Sequence, residues 1–378
     1  MTIDQEHGTN SQVIHIKGDH YQMGYQHGQQ VRLLRSHIVK AIEARFAQLE
    51  QDGPDEIFEA LVWETQQVLQ MADPATVAVI RGLADGLNLE FDRLLRYNLV
   101  AFLNDALTTR RPSINGGTGK ERAEGCTTWA ATGSATADGQ PLLAKNRDYR
   151  LEHLPLQTVV RAEPAIGYRY TYLTSAGSPG VFAAGFNQAG LAVADTHVSS
   201  SDVGPGLPVY ALSMHVLEEH DTVHSALDYL QSVPRLGRNN LLLADANGDI
   251  ALFEMGYRSS SVLTAEVDIL VNTNHFNSPV MQPYFVDTSP PALQGNTFQR
   301  YNKVKQVLNN AYGHIDVAKS QQLMASHAGL LASVCRHPSL YSDTCTISAA
   351  LFLPVQRRML LCHGQPCQGI YYSFDYLQ

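Results

Sequence analysis

A cysteine directly after a glycine, Gly125-Cys126, is the pair in this sequence best suited to covalent chemistry. Cysteine is the strongest side-chain nucleophile, and glycine reaches backbone conformations that a Cβ would strain. If Cys126 opens a strand after a mobile loop, its thiol can attack the preceding carbonyl, convert the amide to a thioester, and let water release a new N-terminus. The α-amine so exposed titrates near pH ~8, so it can take the thiol proton at neutral pH without a histidine. The plain alternative is a buried structural thiol.

Other constellations are weaker. The remaining cysteines, Cys335, Cys345, Cys362 and Cys367, stand among apolar residues without the two-residue spacing of zinc or redox motifs, and read as small core side chains. His220 and His224 have metal-ligand spacing on a predicted helix that also carries His215, but no third ligand completes a site. Asp245-Ala246-Asn247-Gly248-Asp249 reads as a hairpin turn rather than a calcium loop. Gly119-Lys120 precedes Glu121 where a phosphate-binding loop needs Ser or Thr, so a nucleotide site is rejected.

The elements that must position Cys126 follow from periodicity. Val13-Ile14-His15-Ile16 predicts a short strand, and residues 20 to 108 are mainly helical, with Asp73-Pro74 as an N-cap and first-turn proline. The polar, glycine-rich run from Arg111 to Glu121 is an expected exposed linker. From Cys126 strands dominate: 126 to 136, an Asp138-Gly139 turn, and Pro141 to Asp148 form a hairpin. Further strands are predicted at 157–163, 168–174, 181–186, 190–196, 240–245, 250–255, 345–353 and 357–363. Helical periodicity returns at 209–232, 297–310 and 316–331. Hairpin-linked strands with helices gathered in separate blocks predict an α+β fold of antiparallel sheets covered by helical layers.

Length allows one domain or two, and 44% hydrophobic residues supply a sizeable core. A net charge of −9 without a basic run argues against nucleic acid as partner. The absence of a long apolar run argues against a membrane span or signal peptide, so a cytoplasmic protein is expected.

Several motifs combine into a family resemblance. Gly125-Cys126-Thr127-Thr128-Trp129-Ala130, Asp138-Gly139, and Ala144-Lys145-Asn146-Arg147-Asp148-Tyr149 form its centre. Upstream lie Gly24-Tyr25-Gln26-His27-Gly28 and Arg81-Gly82-Leu83-Ala84-Asp85-Gly86-Leu87; downstream lie Cys335-Arg336-His337-Pro338 and Gly364-Gln365-Pro366-Cys367. The chain resembles the acyl-coenzyme A:6-aminopenicillanic acid acyltransferase family (peptidase C45-like), self-processing relatives of choloylglycine hydrolases and penicillin V acylases. The resemblance implies a four-layer αββα N-terminal-nucleophile fold. Residues 1–125 would become a smaller, mainly helical chain and 126–378 the larger catalytic chain, the two remaining packed as one unit.

The resemblance also implies a site. Asp148 matches the aspartate that holds the new α-amine, and the hairpin's period of two places Asn146 and Asp148 on one face with Arg147 turned away. The alternative is a strand-end carboxylate paired with Arg147 or Arg150. Asn274, in Val271-Asn272-Thr273-Asn274-His275, matches an oxyanion-donating asparagine; Asn272 shares its face, and the alignment chooses between them. Arg300 matches an arginine near the active centre, the alternative being a surface arginine on a helix. Two departures set aside bile-salt or penicillin specificity: His197 stands where relatives carry asparagine, with Asn187 as a nearby alternative, and Lys145 replaces an arginine.

The expected activity is a self-cleaving N-terminal cysteine acyltransferase or amidohydrolase acting through an acyl-Cys126 thioester. No cofactor or metal is implied; acyl-coenzyme A is admitted as a substrate, beside small amides and an amine acceptor. The alternatives are a peptidase or N-acyl amino acid hydrolase, or an inactive relative that binds an acylated ligand.

Overall fold

The computed structural model describes residues 12–103, 106–107, 125–265 and 267–376. The stretch expected to be an exposed linker, 111–121, lies outside them.

Strands with apolar residues on both faces need cover on both faces, and two stacked sheets between helical layers provide it. One sheet has eight strands: β1 (Gln12–Gly18), β4 (Gln157–Pro164), β5 (Tyr170–Ser175), β6 (Ala184–Asn187), β7 (Ala192–His197), β8 (Asn239–Ala244), β9 (Ile250–Met255) and β10 (Ser260–Thr264), in that spatial order. The other has six, ordered β11 (Ile269–Asn272), β2 (Thr127–Ala131), β3 (Leu142–Arg150), β12 (Thr344–Leu353), β13 (Arg358–His363) and β14 (Tyr371–Asp375). Leu143, Phe352, Val159, Phe186 and Leu242 fill the space between the sheets. The pairs are antiparallel except β1 with β4, which is parallel.

Helices α1 (His20–Gln30), α2 (Arg35–Asp52), α3 (Glu56–Ala72), α4 (Pro74–Leu87), α5 (Phe91–Leu103), α6 (Val209–Glu219) and α7 (Val223–Ser232) cover the eight-stranded sheet through one core. Helices α8 (Asn296–Asn310) and α9 (Val317–Met324) cover the six-stranded sheet, where Trp129, Ala144 and Leu351 meet Val304, Leu308 and Met324. Helix, sheet, sheet and helix are the four layers expected. The predicted helix at 209–232 is two helices: His220 leaves helical geometry, and the Thr222 side chain caps α7 by accepting from Ser225 N–H. Asp73 caps α4 as predicted, accepting from Thr76 N–H.

The two glycine-rich motifs of the helical region turn out to be a packing device. Helices α1 and α4 cross so closely that a Cβ on Gly24 would lie 2.1 Å from the Val79 carbonyl oxygen, and one on Gly82 would lie 2.1 Å from that of Tyr21. Backbone cannot rotate away as a side chain can. Gly82→Ala should therefore lower stability by about 1–3 kcal/mol in urea denaturation. In an uncrowded helix the same change would raise it by up to about 1 kcal/mol, so an unchanged or higher midpoint would contradict the crossing.

His27 sits inside this crossing, buried, with no hydrogen-bond partner for its Nε2 among the described residues, and burial drives its pKa from 6.5 down to about 4. Because the folded value is depressed, the unfolded chain binds the proton first as acid is added. The neutral imidazole is compatible with full stability above about pH 6.5, and stability falls as pH drops toward 4. The loss should reach about 2–3 kcal/mol by pH 4.5. Denaturation midpoints at pH 7 and 4.5 test this, with His27→Gln removing that part of the slope.

His215, His220 and His224 do not converge: His215 lies 3.0 Å from Asp73 and 2.6 Å from Glu219, and His224 is 3.6 Å from Asp228. Asp245 closes a hairpin turn, as expected, its Oδ1 accepting from the Asn247 and Asp249 N–H groups.

Candidate active site

The β2–β3 hairpin brings Cys126 and Asp148 to the same end of the sheet. Thr127 pairs with Asn146, so Cys126 and Gly125 extend from the paired end opposite Arg147 and Asp148. Alternation then sorts the side chains of β3. Asn146 Nδ2 donates to the Met324 and Val334 carbonyls, both at 2.9 Å. Arg147 points the other way, to Gln157 Oε1 (2.5 Å) and Ser175 Oγ (2.9 Å). Arg150 lies 3.4 Å from Glu152. Neither arginine is the partner of Asp148 in these contacts.

Asp148 is buried, and its Oδ1 accepts from the Thr346 hydroxyl at 2.6 Å. Its Oδ2 is also buried and has no hydrogen-bond partner among the described residues. Burial raises the Asp148 pKa above the usual carboxylate value, against the pull of the Arg336 and Arg300 charges.

Arg300 is the structural hub. It sits near the start of α8 but is buried, not a surface arginine. Its Nη1 donates to the Cys126 carbonyl (2.7 Å) and Thr127 Oγ1 (2.9 Å), and its Nη2 to Asn274 Oδ1 (2.7 Å) and Asn296 Oδ1 (3.1 Å). Burial and the neighbouring Arg336 lower its pKa to about 10, which leaves it charged at neutral pH. A Cβ on Gly125 would fall 1.9 Å from Arg336 Nη1 and 3.4 Å from Arg300 Nη2, so any larger residue there would have to displace the Arg336 guanidinium. Two guanidinium groups thus lie close to Gly125, and one of them holds the Cys126 carbonyl.

The Cys126 thiol is half-buried, and desolvation pushes its pKa up. The Lys145 ammonium and a hydrogen bond from the Asp148 backbone N–H oppose that shift; the charges of Asp195 and Asp148 add to it. Lys145 is itself buried and ion-paired to Asp195 at 2.7 Å.

The asparagines separate clearly. Asn274 donates through Nδ2 to the His197 carbonyl (2.9 Å) and through its backbone N–H to Thr297 Oγ1 (2.9 Å), placing it behind Arg300 and one contact away from Cys126. Asn272 belongs to another network: its Oδ1 accepts from Asn240 (2.9 Å) and its Nδ2 donates to Thr196 Oγ1 (2.5 Å). The His197 ring meets Arg238, and its carbonyl is what links it to Asn274. Asn187 is drawn into closing the turn between β6 and β7. Its Oδ1 accepts from the Ala189, Gly190 and Leu191 N–H groups, and its Nδ2 donates to the Leu217 (2.9 Å) and His220 (2.7 Å) carbonyls. Both amide hydrogens are committed, so Asn187 has no donor left for an oxyanion.

Three neighbours of the site escaped sequence reasoning as site residues: Asp195, Arg336 and Thr346. Arg336 lay inside a quoted motif, and the signal for Asp195 was a lysine, Lys145, in an otherwise buried strand, which needs a counter-charge.

Residues 134–368 match the family model described as "Acyl-coenzyme A:6-aminopenicillanic acid acyl-transferase". An "Uncharacterized protein" of Archaeoglobus fulgidus is 22% identical over 358 residues, covering 84% of this chain and 58% of its own length, so the chain spans little more than half of that relative. Among solved structures, a mutant conjugated bile acid hydrolase from Clostridium perfringens is similar at a TM-score of 0.48 and 12% identity, over 67% of this chain and 92% of that one. Penicillin V acylase from Agrobacterium tumefaciens is similar at 0.45 and 16%, over 67% and 87%. With most of its length matched by the family model, the chain belongs to the acyl-coenzyme A:6-aminopenicillanic acid acyl-transferase family.

Proposed function

We propose that the chain cuts its own Gly125–Cys126 bond and then uses Cys126 as an N-terminal nucleophile for acyl transfer from amides or acyl thioesters. The observation that carries this reading is Asp148: a buried carboxylate across from Gly125 with one oxygen that has no partner among the described residues. A buried acceptor without a donor is costly, and an α-ammonium formed on Cys126 is a partner that cleavage itself would create.

In the cut, Cys126 Sγ bonds to the Gly125 carbonyl carbon, and the thiol proton ends on the departing Cys126 nitrogen. The raised basicity of Asp148 suits it to carry that proton. Water then hydrolyses the thioester, leaving a carboxylate on Gly125 and a free amine and thiol on Cys126. The positive charges of Arg336 and Arg300 lie beside Gly125 and Cys126 and would favour the negative charge that develops there, and Asn274 holds Arg300 in place.

In turnover the α-amine accepts the thiol proton, the thiolate takes the acyl group, and the α-ammonium protonates the leaving amine or thiolate. Water or an amine then removes the acyl group from sulfur. Acyl-coenzyme A and small amides both enter through this same acyl-enzyme. Intact-mass measurement on freshly purified protein should show two chains, the larger beginning at Cys126. A chain that stays whole while fully folded would overturn self-processing.

A further inference from the structure

The segment that carries Arg336 also carries a second cluster of reactive side chains. His327, Cys335 and His337 follow α9, and Cys367 lies in the turn between β13 and β14. His337 Nε2 is 3.1 Å from His327 Nε2, 3.3 Å from Cys367 Sγ and 3.9 Å from Cys335 Sγ. All four donor atoms lie within 4.8 Å of one another. Cys345 and Cys362 are buried core thiols, as the sequence predicts for all four. Cys335 and Cys367 depart from that expectation because they meet each other and two imidazoles.

We propose that His327, Cys335, His337 and Cys367 form a tetrahedral zinc site of the structural type. A tetrahedron with Zn–N near ~2.0 Å and Zn–S near ~2.3 Å has donor-to-donor edges of about 3.3–3.8 Å. The three observed contacts, from 3.1 to 3.9 Å, therefore already approximate a ligand shell. Two thiolates with two imidazoles select zinc over the oxygen-seeking calcium and magnesium ions. Four protein donors leave no position open to substrate, which makes the site a fastener rather than a catalyst. A Cys335–Cys367 disulfide is the competing use of the two thiols, but it gives no reason for two imidazoles to converge on the same point. The exposed imidazoles give an ion its way in.

The site's place gives it a purpose. Cys335 and His337 bracket Arg336, whose backbone N–H donates to Thr346 Oγ1 (2.8 Å), the hydroxyl that also holds Asp148. The Val334 and Cys335 N–H groups both donate to the Ser326 carbonyl (3.1 and 3.0 Å), closing the loop at its other end. Zinc would fix both neighbours of Arg336 and tie them to the β13–β14 turn. On binding, both thiols lose their protons to solvent while the imidazoles bind neutral.

The full chain, purified without a histidine tag or chelator, should contain about 1 zinc per chain by elemental mass spectrometry. Cobalt added to the zinc-stripped chain should give a thiolate charge-transfer band and release about two protons. Cys367→Ser and His337→Ala should each lose zinc and the cobalt band, while Cys345→Ser keeps both; circular dichroism establishes that the variants are folded. Retention of metal in either of the first two variants would overturn the site. So would a native chain that takes up neither metal, or that carries Cys335 and Cys367 as a disulfide, lighter by the mass of two hydrogens.

Discussion

Replacing Cys126 by alanine should leave one chain of 41.6 kDa where the native protein should yield two, and should abolish amide and acyl-thioester turnover. The variant has no sulfur to receive the Gly125 acyl group, and its loss should cost roughly 10⁴-fold or more in acyl transfer. The fold should survive, because Arg300 holds the Cys126 backbone carbonyl rather than its side chain. Stability within about 1 kcal/mol of an uncut native chain is expected on removing this half-buried thiol. The measurements are intact mass and denaturant midpoint on the same sample. An alanine variant that still splits between Gly125 and residue 126 would remove the nucleophile from the account.

The second large effect is expected at Asp148. Asparagine keeps the shape and an acceptor for the Thr346 hydroxyl while deleting the charge that faces Arg336 and Arg300. Self-cleavage and turnover should each slow by about 10²–10³-fold, with uncut chain accumulating. The pH dependence gives a second reading of the same group. Burial raises the Asp148 pKa in the uncut chain, so self-cleavage that needs its carboxylate is present above that raised value. It is lost as pH falls through that value, which lies above the ordinary value of an aspartate. Asp148→Asn should lack this acidic limb. A variant that matures at the native rate with the acidic limb unchanged would show that another group holds the amine.

How far the sequence revealed this arrangement depended on distance along the chain. The hairpin of Cys126 and Asp148 was legible because a turn signal and a period of two determine who faces whom within a few residues. The paired register of β2 and β3 follows that reading, although β2 is shorter than predicted and a short 3₁₀ turn precedes Asp138. Strands β10, β11 and β14 were missed for a local reason. β10 and β14 are only partly buried and lack strong apolar alternation, and β11 is four residues long. The hub at Arg300 was reachable through family likeness alone, since its contacts to Cys126 and Asn274 cross 174 and 26 residues. Asn187 misled because an asparagine before Gly190-Leu191 serves the turn, whose backbone N–H groups claim it. The histidine and cysteine cluster left no sequence spacing to recognise, because its fourth member arrives from 30 residues beyond His337.

Strand β1 lies parallel to β4 along its whole length, from Gln12 opposite Thr158 to Gly18 opposite Pro164, and α1 to α5 share a core with the sheet it joins. If the proposed cut at Gly125 occurs, a segment so placed would stay packed in the sheet, and the processed protein would be a heterodimer. Unfolding would then become dissociation. Each tenfold dilution should lower the apparent stability of the processed protein by about 1.4 kcal/mol, a dependence that the uncut Cys126→Ala chain does not share. After denaturation the two pieces must find each other again by diffusion, so maturation would make folding a one-way investment in a molecule that assembles once.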